Sequence, residues 1–204
     1  MTQIEAYSQL NELGQATFTT ADAAALLNIS RSNAAKVLSR LSTQKAIIHL
    51  KHALWAFPGK VDRLALPGYL SAPFPSYVSL QSALYYHAMI EQIPSTLYAV
   101  TVGRTKKFKT PLGDVSLHQV NPLFFCDFTT DTANNVRIAT PEKSLIDYLY
   151  FRPSRSRLFG PLPELEFPRS FNLNRAKKII NKIPSIRRKT FVRQEFMQLV
   201  ARLG

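Results

Sequence analysis

One short stretch carries six side chains with the chemistry of base and phosphate recognition. Arg31, Ser32, Asn33, Lys36, Ser39 and Arg40 share one side of a helical period, opposite Ala34, Leu38 and Leu41 at i, i+4 and i+7. A guanidinium matches the two acceptors of a guanine edge and a carboxamide matches adenine, while hydroxyl and ammonium groups reach phosphate. Lys51 and His52 follow at a hairpin tip, where a phosphate or minor-groove contact is expected. The residues expected to bind DNA are therefore Arg31, Ser32, Asn33, Lys36, Arg40, Lys51 and His52. The bland alternative is a solvated helix face, which charge alone does not exclude.

The elements around these residues favour the first reading. Ile4, Tyr7, Leu10 and Leu13 predict a support helix that Gly14 stops. Thr19 is a fitting N-cap with Asp22 as its capping-box partner, and the helix continues through Ala23, Ala24, Leu26 and Leu27. Asn28 tolerates the left-handed conformation of a helix end. Ser30 caps a second helix, Arg31 to about Thr43, and two apolar strands flank Lys51-His52: Ile47 to Leu50 and Ala53 to Phe57. Two capped helices across a short break, then a hairpin, predict a winged helix-turn-helix over residues 1–59. His49 and His52 lack carboxylate or thiol company and are taken as wing residues rather than metal ligands; Trp55 is expected in the core.

Pro67, Pro73 and Pro75 mark residues 60–77 as a Pro-rich linker lying along a surface. A second domain is expected over 78–204, with an α/β core at 78–151 and a basic helical segment at 152–204. Ser79 caps a helix from Leu80 to Ile90, on whose buried stripe His87 reads as a satisfied core histidine. Strands are expected at 97–102, 115–120, 123–128 and 136–139. Between the first two, Arg104, Lys106, Lys107 and Lys109 surround Phe108 in a loop suited to gripping nucleic-acid backbone, though such residues are also ordinary loop chemistry. Thr140, Pro141 and Glu142 make a well-formed helix start, followed by the stripe Leu145, Ile146, Leu149 and Tyr150 with Asp147 beside it.

Beyond residue 151 lie a basic loop with Arg152, Arg155 and Arg157, a short Pro-bounded segment from Leu162 to Phe167, and two helices. The first, about 174–183, carries Arg175, Lys177, Lys178 and Lys182. The second, 186–203, opens on Arg187-Arg188-Lys189 and buries Val192, Phe196, Leu199, Val200 and Leu203. Cations in a first turn oppose the helix dipole at a cost of up to ~1 kcal/mol, which hints at an external anion. Arg104, Lys106, Lys107, Lys109, Arg152, Arg155, Arg157, Lys177, Lys178, Arg187, Arg188 and Lys189 are thus candidate backbone contacts. The fold class expected is α+β: a winged helix-turn-helix, then a mixed α/β domain with a basic helical end.

Composition narrows the function classes. Lys and Arg exceed Asp and Glu by two in residues 1–59, by one in 60–150 and by ten in 151–204. That asymmetry is the footprint of a polyanion binder more than of a merely soluble surface. At 46% hydrophobic residues, the 204-residue chain can bury sizeable cores. The lone Cys126 excludes an internal disulfide and a cysteine-based zinc site. No apolar run approaches ~18 residues, so no signal peptide or membrane span is expected and the protein is read as cytoplasmic. No Gly-rich phosphate loop, paired carboxylates at metal spacing or Ser-His-Asp set is evident, so neither catalysis, a metal nor a cofactor is expected.

The chain resembles the AbiEi antitoxins of bacterial type IV toxin–antitoxin (abortive infection) systems. The resemblance spans nearly its whole length. It rests on the helix-turn-helix, on Ser82-Ala-Leu-Tyr-Tyr-His-Ala-Met-Ile-Glu-Gln-Ile-Pro94, on Tyr98-Ala-Val-Thr-Val102, and on Ile138-Ala-Thr-Pro-Glu-Lys-Ser-Leu-Ile-Asp147. It implies a repressor of its own operon that binds promoter inverted repeats through its first domain. It also implies a C-terminal domain that opposes a nucleotidyltransferase-type toxin, without necessarily forming a stable complex, in a protein that is a monomer or weak dimer. Where the family often has Gly after the His, this chain has Ala88, and no role is carried onto it. Two alternatives remain: a plain repressor with a sensing or oligomerisation domain, and an enzyme acting on nucleic acid.

Overall fold

The computed structural model describes residues 2–134, 136–153 and 164–203. The chain opens with α1 (Gln3–Asn11), β1 (Thr17–Thr19), α2 (Thr20–Leu26), α3 (Arg31–Thr43), β2 (Ile48–Lys51) and β3 (Leu54–Ala56). The three strands form an antiparallel sheet in the order β1-β3-β2. Leu10, Phe18, Ala23, Leu38, Leu41, Ile47, Trp55 and Phe57 make its core. Ile4, expected on the buried stripe of α1, is 82% exposed; Ala6 is buried with Leu10 instead.

The remainder contains α4 (Leu66–Ser71), β4 (Ser76–Val78), α5 (Leu80–Tyr86), β5 (Thr96–Thr101), β6 (Lys106–Thr110) and β7 (Gly113–Gln119). These are followed by β8 (Phe128–Asp131), β9 (Val136–Ala139), α6 (Pro141–Phe151), α7 (Leu173–Asn181) and α8 (Ile186–Leu203). Six strands make one mixed sheet, β6-β7-β5-β4-β9-β8, parallel at β5–β7 and β4–β9 and antiparallel elsewhere. The fold is α+β. Among the described residues no helix is long and apolar enough to cross a membrane.

Several expectations need correcting. Residues 60–77 are not a surface linker. They supply α4 and most of β4, and Ala65, Leu66, Leu70 and Tyr77 are buried in the second core. Pro67 sits in the first turn of α4, where a missing N–H costs nothing. β4 is only three residues long and buried throughout, so it has no polar alternation to betray it. The basic loop after β5 is largely strand β6, at the edge of the sheet, where lysines discourage further pairing. Residues 123–127 are not a strand, which begins only at Phe128: Asn121 Oδ1 accepts from Leu123 N–H, one 3₁₀ turn follows, and Asp127 is left-handed at φ 58°.

The hairpin β2–β3 packs against a core on each face. Ile47, Trp55 and Phe57 enter the first core, whereas Ile48, Leu50, Leu54 and Ala56 pack on the second. Period-2 alternation thus sends neighbouring side chains into different cores.

α5 is shorter than expected because Ala88 is left-handed, φ 53°, which turns the chain out of the helix. This is the position where the resembled family often carries glycine, and Ala88 is exposed. His87 is satisfied as expected, its Nε2 lying 2.7 Å from the Ala139 carbonyl. On β7, His118 is buried beside Ser116 Oγ at 3.0 Å. Burial, with Lys107 adding to it, holds its imidazole down to about 4 from the ordinary 6.5.

Ala88→Gly should raise stability by about 1 kcal/mol, because it relieves a left-handed Cβ and sacrifices no burial; chemical denaturation checks this. His118 folds neutral, so its contribution is complete above 6.5 and shrinks as pH falls towards 4. Urea midpoints between pH 6.5 and 5 should reveal a loss of about 1.4 kcal/mol per pH unit from this group, which His118→Gln removes.

Candidate nucleic-acid interface

Local hydrogen bonds set α2 and α3 as the sequence led one to expect. Thr19 Oγ1 accepts from Asp22 N–H at 3.1 Å, and the Asp22 carboxylate accepts from Thr19 N–H at 2.8 Å. Trp55 Nε1 donates to Thr20 Oγ1 at 2.9 Å, which ties the start of α2 to β3. Asn28 turns left-handed at φ 52°, and Ser30 Oγ accepts from Asn33 N–H at 3.2 Å to start α3. Ala34, Leu38 and Leu41 are buried, and Arg31, Ser32, Asn33, Lys36 and Arg40 are all exposed. Among the described residues none of these three cations sits in an ion pair.

The hairpin tip departs from expectation. His52 is exposed at the turn and His49 lies on Trp55, ring centroids 4.6 Å apart. Lys51 points the other way. Its Nζ donates to the Leu70 carbonyl at 2.8 Å and reaches the Ala72 carbonyl at 3.5 Å, at the C-terminal end of α4. That end is where a helix dipole welcomes a cation. Burial, and secondarily Lys106, lowers the Lys51 ammonium from its ordinary value. Lys51 is therefore a tether between the hairpin and α4 rather than a free contact. Arg104, in the turn before β6, and Lys106, Lys107 and Lys109 along it are exposed; β6 runs next to β2, and Lys106 Nζ lies 4.9 Å from the Phe108 ring centre.

The C-terminal cations divide into two groups. Arg152 pairs with Glu195, and Arg188 Nη1 donates to the Tyr150 carbonyl at 3.0 Å while its guanidinium lies 5.2 Å from the Tyr150 ring centre. Both hold α8 against the end of α6. Of the three cations in the first turn of α8, Arg188 thus finds its partner at the C-terminus of another helix. Arg175 and Lys182 share Asp127 as an ion-pair partner, at 3.5 and 2.7 Å. Lys177, Lys178 and Arg187 are exposed and Lys189 is half-buried. Arg155, Arg157 and the start of the Pro-bounded segment lie outside the described residues, as does the Leu203 side chain.

Sequence reasoning missed a buried polar cluster. Lys143 and Asp147, one turn apart on α6, are both fully buried. Lys143 Nζ lies 2.8 Å from Asp147 Oδ1, a contact of charges rather than an aligned hydrogen bond. Nζ also donates to the Phe124 carbonyl at 2.9 Å and lies 3.2 Å from the centre of that ring. Tyr77 Oη and Ser79 Oγ donate to Asp147 Oδ2 at 2.9 and 2.8 Å. Burial, then the Asp147 charge, pushes the Tyr77 phenol well above its ordinary value, so it remains a donor. Ser79 is fully buried with its hydroxyl proton directed at Asp147. Glu142, also buried, accepts from Asn172 N–H at 2.8 Å and so docks the N-cap of α7. The i, i+4 spacing of Lys143 and Asp147 was the signal available. Among the described residues no cluster of three His, Cys, Asp or Glu could hold a metal.

No family model matches the sequence, and no curated protein matches it.

Lys51→Met should lower stability by about 1–2 kcal/mol, because it removes a charged donor from the α4 carbonyls; the urea midpoint should fall with an unchanged slope.

Proposed function

We propose that the chain is a DNA-binding antitoxin. Residues 1–59 act as a winged helix-turn-helix that selects inverted repeats in the promoter of its own operon. The second domain counteracts a nucleotidyltransferase-type toxin in the cytoplasm. The observation that carries the DNA-binding half is the outer face of α3. It presents Arg31, Ser32, Asn33, Lys36 and Arg40 to solvent on a helix anchored by Ala34, Leu38 and Leu41. In its favour stands the order of elements, two capped helices across a short break with a hairpin after them. Of the two tip residues, His52 keeps its role. The exposed cations of β6 and α7, with Arg187, supply backbone contacts beside it.

The antitoxin half rests on the resemblance of the Ser82–Pro94 and Ile138–Asp147 blocks. The two blocks meet in space: α5 packs on α6, and His87 meets the Ala139 carbonyl.

In gel shifts with the promoter of its own operon, Arg31→Ala and Asn33→Ala should each cost about 1–3 kcal/mol and relax specificity. Lys36→Ala should lower the log–log salt slope by about 1, and Lys51→Met should leave it unchanged. Normal operator binding by the Arg31→Ala, Asn33→Ala double variant would sink the α3 assignment. Rescue of growth when the full chain is co-expressed with the neighbouring nucleotidyltransferase tests the antitoxin half.

A further inference from the structure

The second domain has an acidic and aromatic groove on a chain whose net charge is +13. It encloses about 700 Å³ between the end of α5, the turn after it and the start of β5. Tyr85, Tyr86 and Ile93 line it and are 41%, 57% and 69% exposed. Glu91 and Glu166 stand on its wall, and Glu164 joins them in an adjoining hollow. Among the described residues none of these three carboxylates has an ion-pair or hydrogen-bond partner. The wall's cation, Arg63, is turned to the Ser95 carbonyl at 3.3 Å.

The groove is built firmly. His87 is held to the Ala139 carbonyl, Ala88 fixes the turn, and Glu166 N–H donates to the Met89 carbonyl at 3.0 Å. The two tyrosines are thus presented from a fixed helix end. Rigid aromatic side chains beside unpaired carboxylates bind at low ordering cost.

We propose that this groove docks a basic segment of a partner protein, anchored by an apolar or aromatic side chain between Tyr85 and Tyr86 and paired through Lys or Arg with Glu91 and Glu166. Charge decides the occupant. Three unpaired carboxylates repel nucleic-acid phosphate and anionic lipid, whereas a cationic segment is repelled by most of this protein's surface and attracted here. The site lies outside the α3 surface and does not depend on the DNA-binding reading.

The test uses the full chain and fluorescein-labelled short peptides in anisotropy titrations. The probes are a Lys/Leu peptide with one central Trp, its Glu-for-Lys counterpart, and oligo-lysine. The Lys/Leu/Trp peptide should bind best, and its affinity should fall at least about tenfold in Glu91→Lys/Glu166→Lys and in Tyr86→Ser, all exposed positions. Operator binding by both variants should be retained, which separates this site from the one on α3. Absence of binding, equal binding of the Glu counterpart, or unchanged affinity in the variants overturns the proposal. So does a concentration-dependent dimer in sedimentation that Tyr86→Ser dissolves, since a second copy would then be the occupant.

Discussion

The second domain is built around a buried pair of charges. Removing Lys143 and Asp147 from water costs several kcal/mol per ion, and their attraction offsets this only when the remaining donors and acceptors are met. Here that support comes from three places: Tyr77 of β4 and Ser79 at the cap of α5 donate to Asp147 Oδ2, and the carbonyl and ring of Phe124, in the turn before β8, meet Lys143, which leaves Asp147 Oδ1 to the ammonium charge beside it. A shift of β4 by one residue would turn the Tyr77 hydroxyl away from the carboxylate. The pair therefore fixes the register of the central strand against the central helix. The neighbouring Glu142 extends the same constraint to α7 through Asn172.

This gives physical content to the sequence block Ile138–Asp147. From the chain alone, Thr140, Pro141 and Glu142 read as a good helix start, and for Thr140 and Pro141 that is what they are. Glu142, Lys143 and Asp147 do more, because their partners lie 19 to 70 residues away. Local patterning reports caps and stripes; it cannot report what a charge meets across the fold. The same limit explains Lys51 and Arg188, both read as surface cations. Each has a long apolar stem and a head that finds a helix C-terminal carbonyl.

What patterning did capture is extensive where the signal is local. The capping box at Thr19, the left-handed Asn28, the Ser30 cap, the α3 stripe and the span of α8 stand as read. β5, β7 and β9 were located to within one or two residues. β4 and β6 escaped for opposite reasons: one is short and wholly buried, the other so lysine-rich that it reads as a loop. The outer face of α3 is exposed as anticipated, but exposure is all that the fold adds to it.

The hairpin β2–β3 has a bearing on how the chain can be divided. The natural place to cut is after Pro58-Gly59, where the first unit ends by sequence. Such a cut would strip Ile48, Leu50, Leu54 and Ala56 of their cover on one fragment and open the matching face of α4 and the second core on the other. It would also leave the Lys51 ammonium without its carbonyls. Each fragment would carry a fresh adhesive surface, so stickiness or loss of function in an isolated half reflects the wound and not the division of labour. Point substitutions within the intact chain are the cleaner way to assign tasks to its two parts.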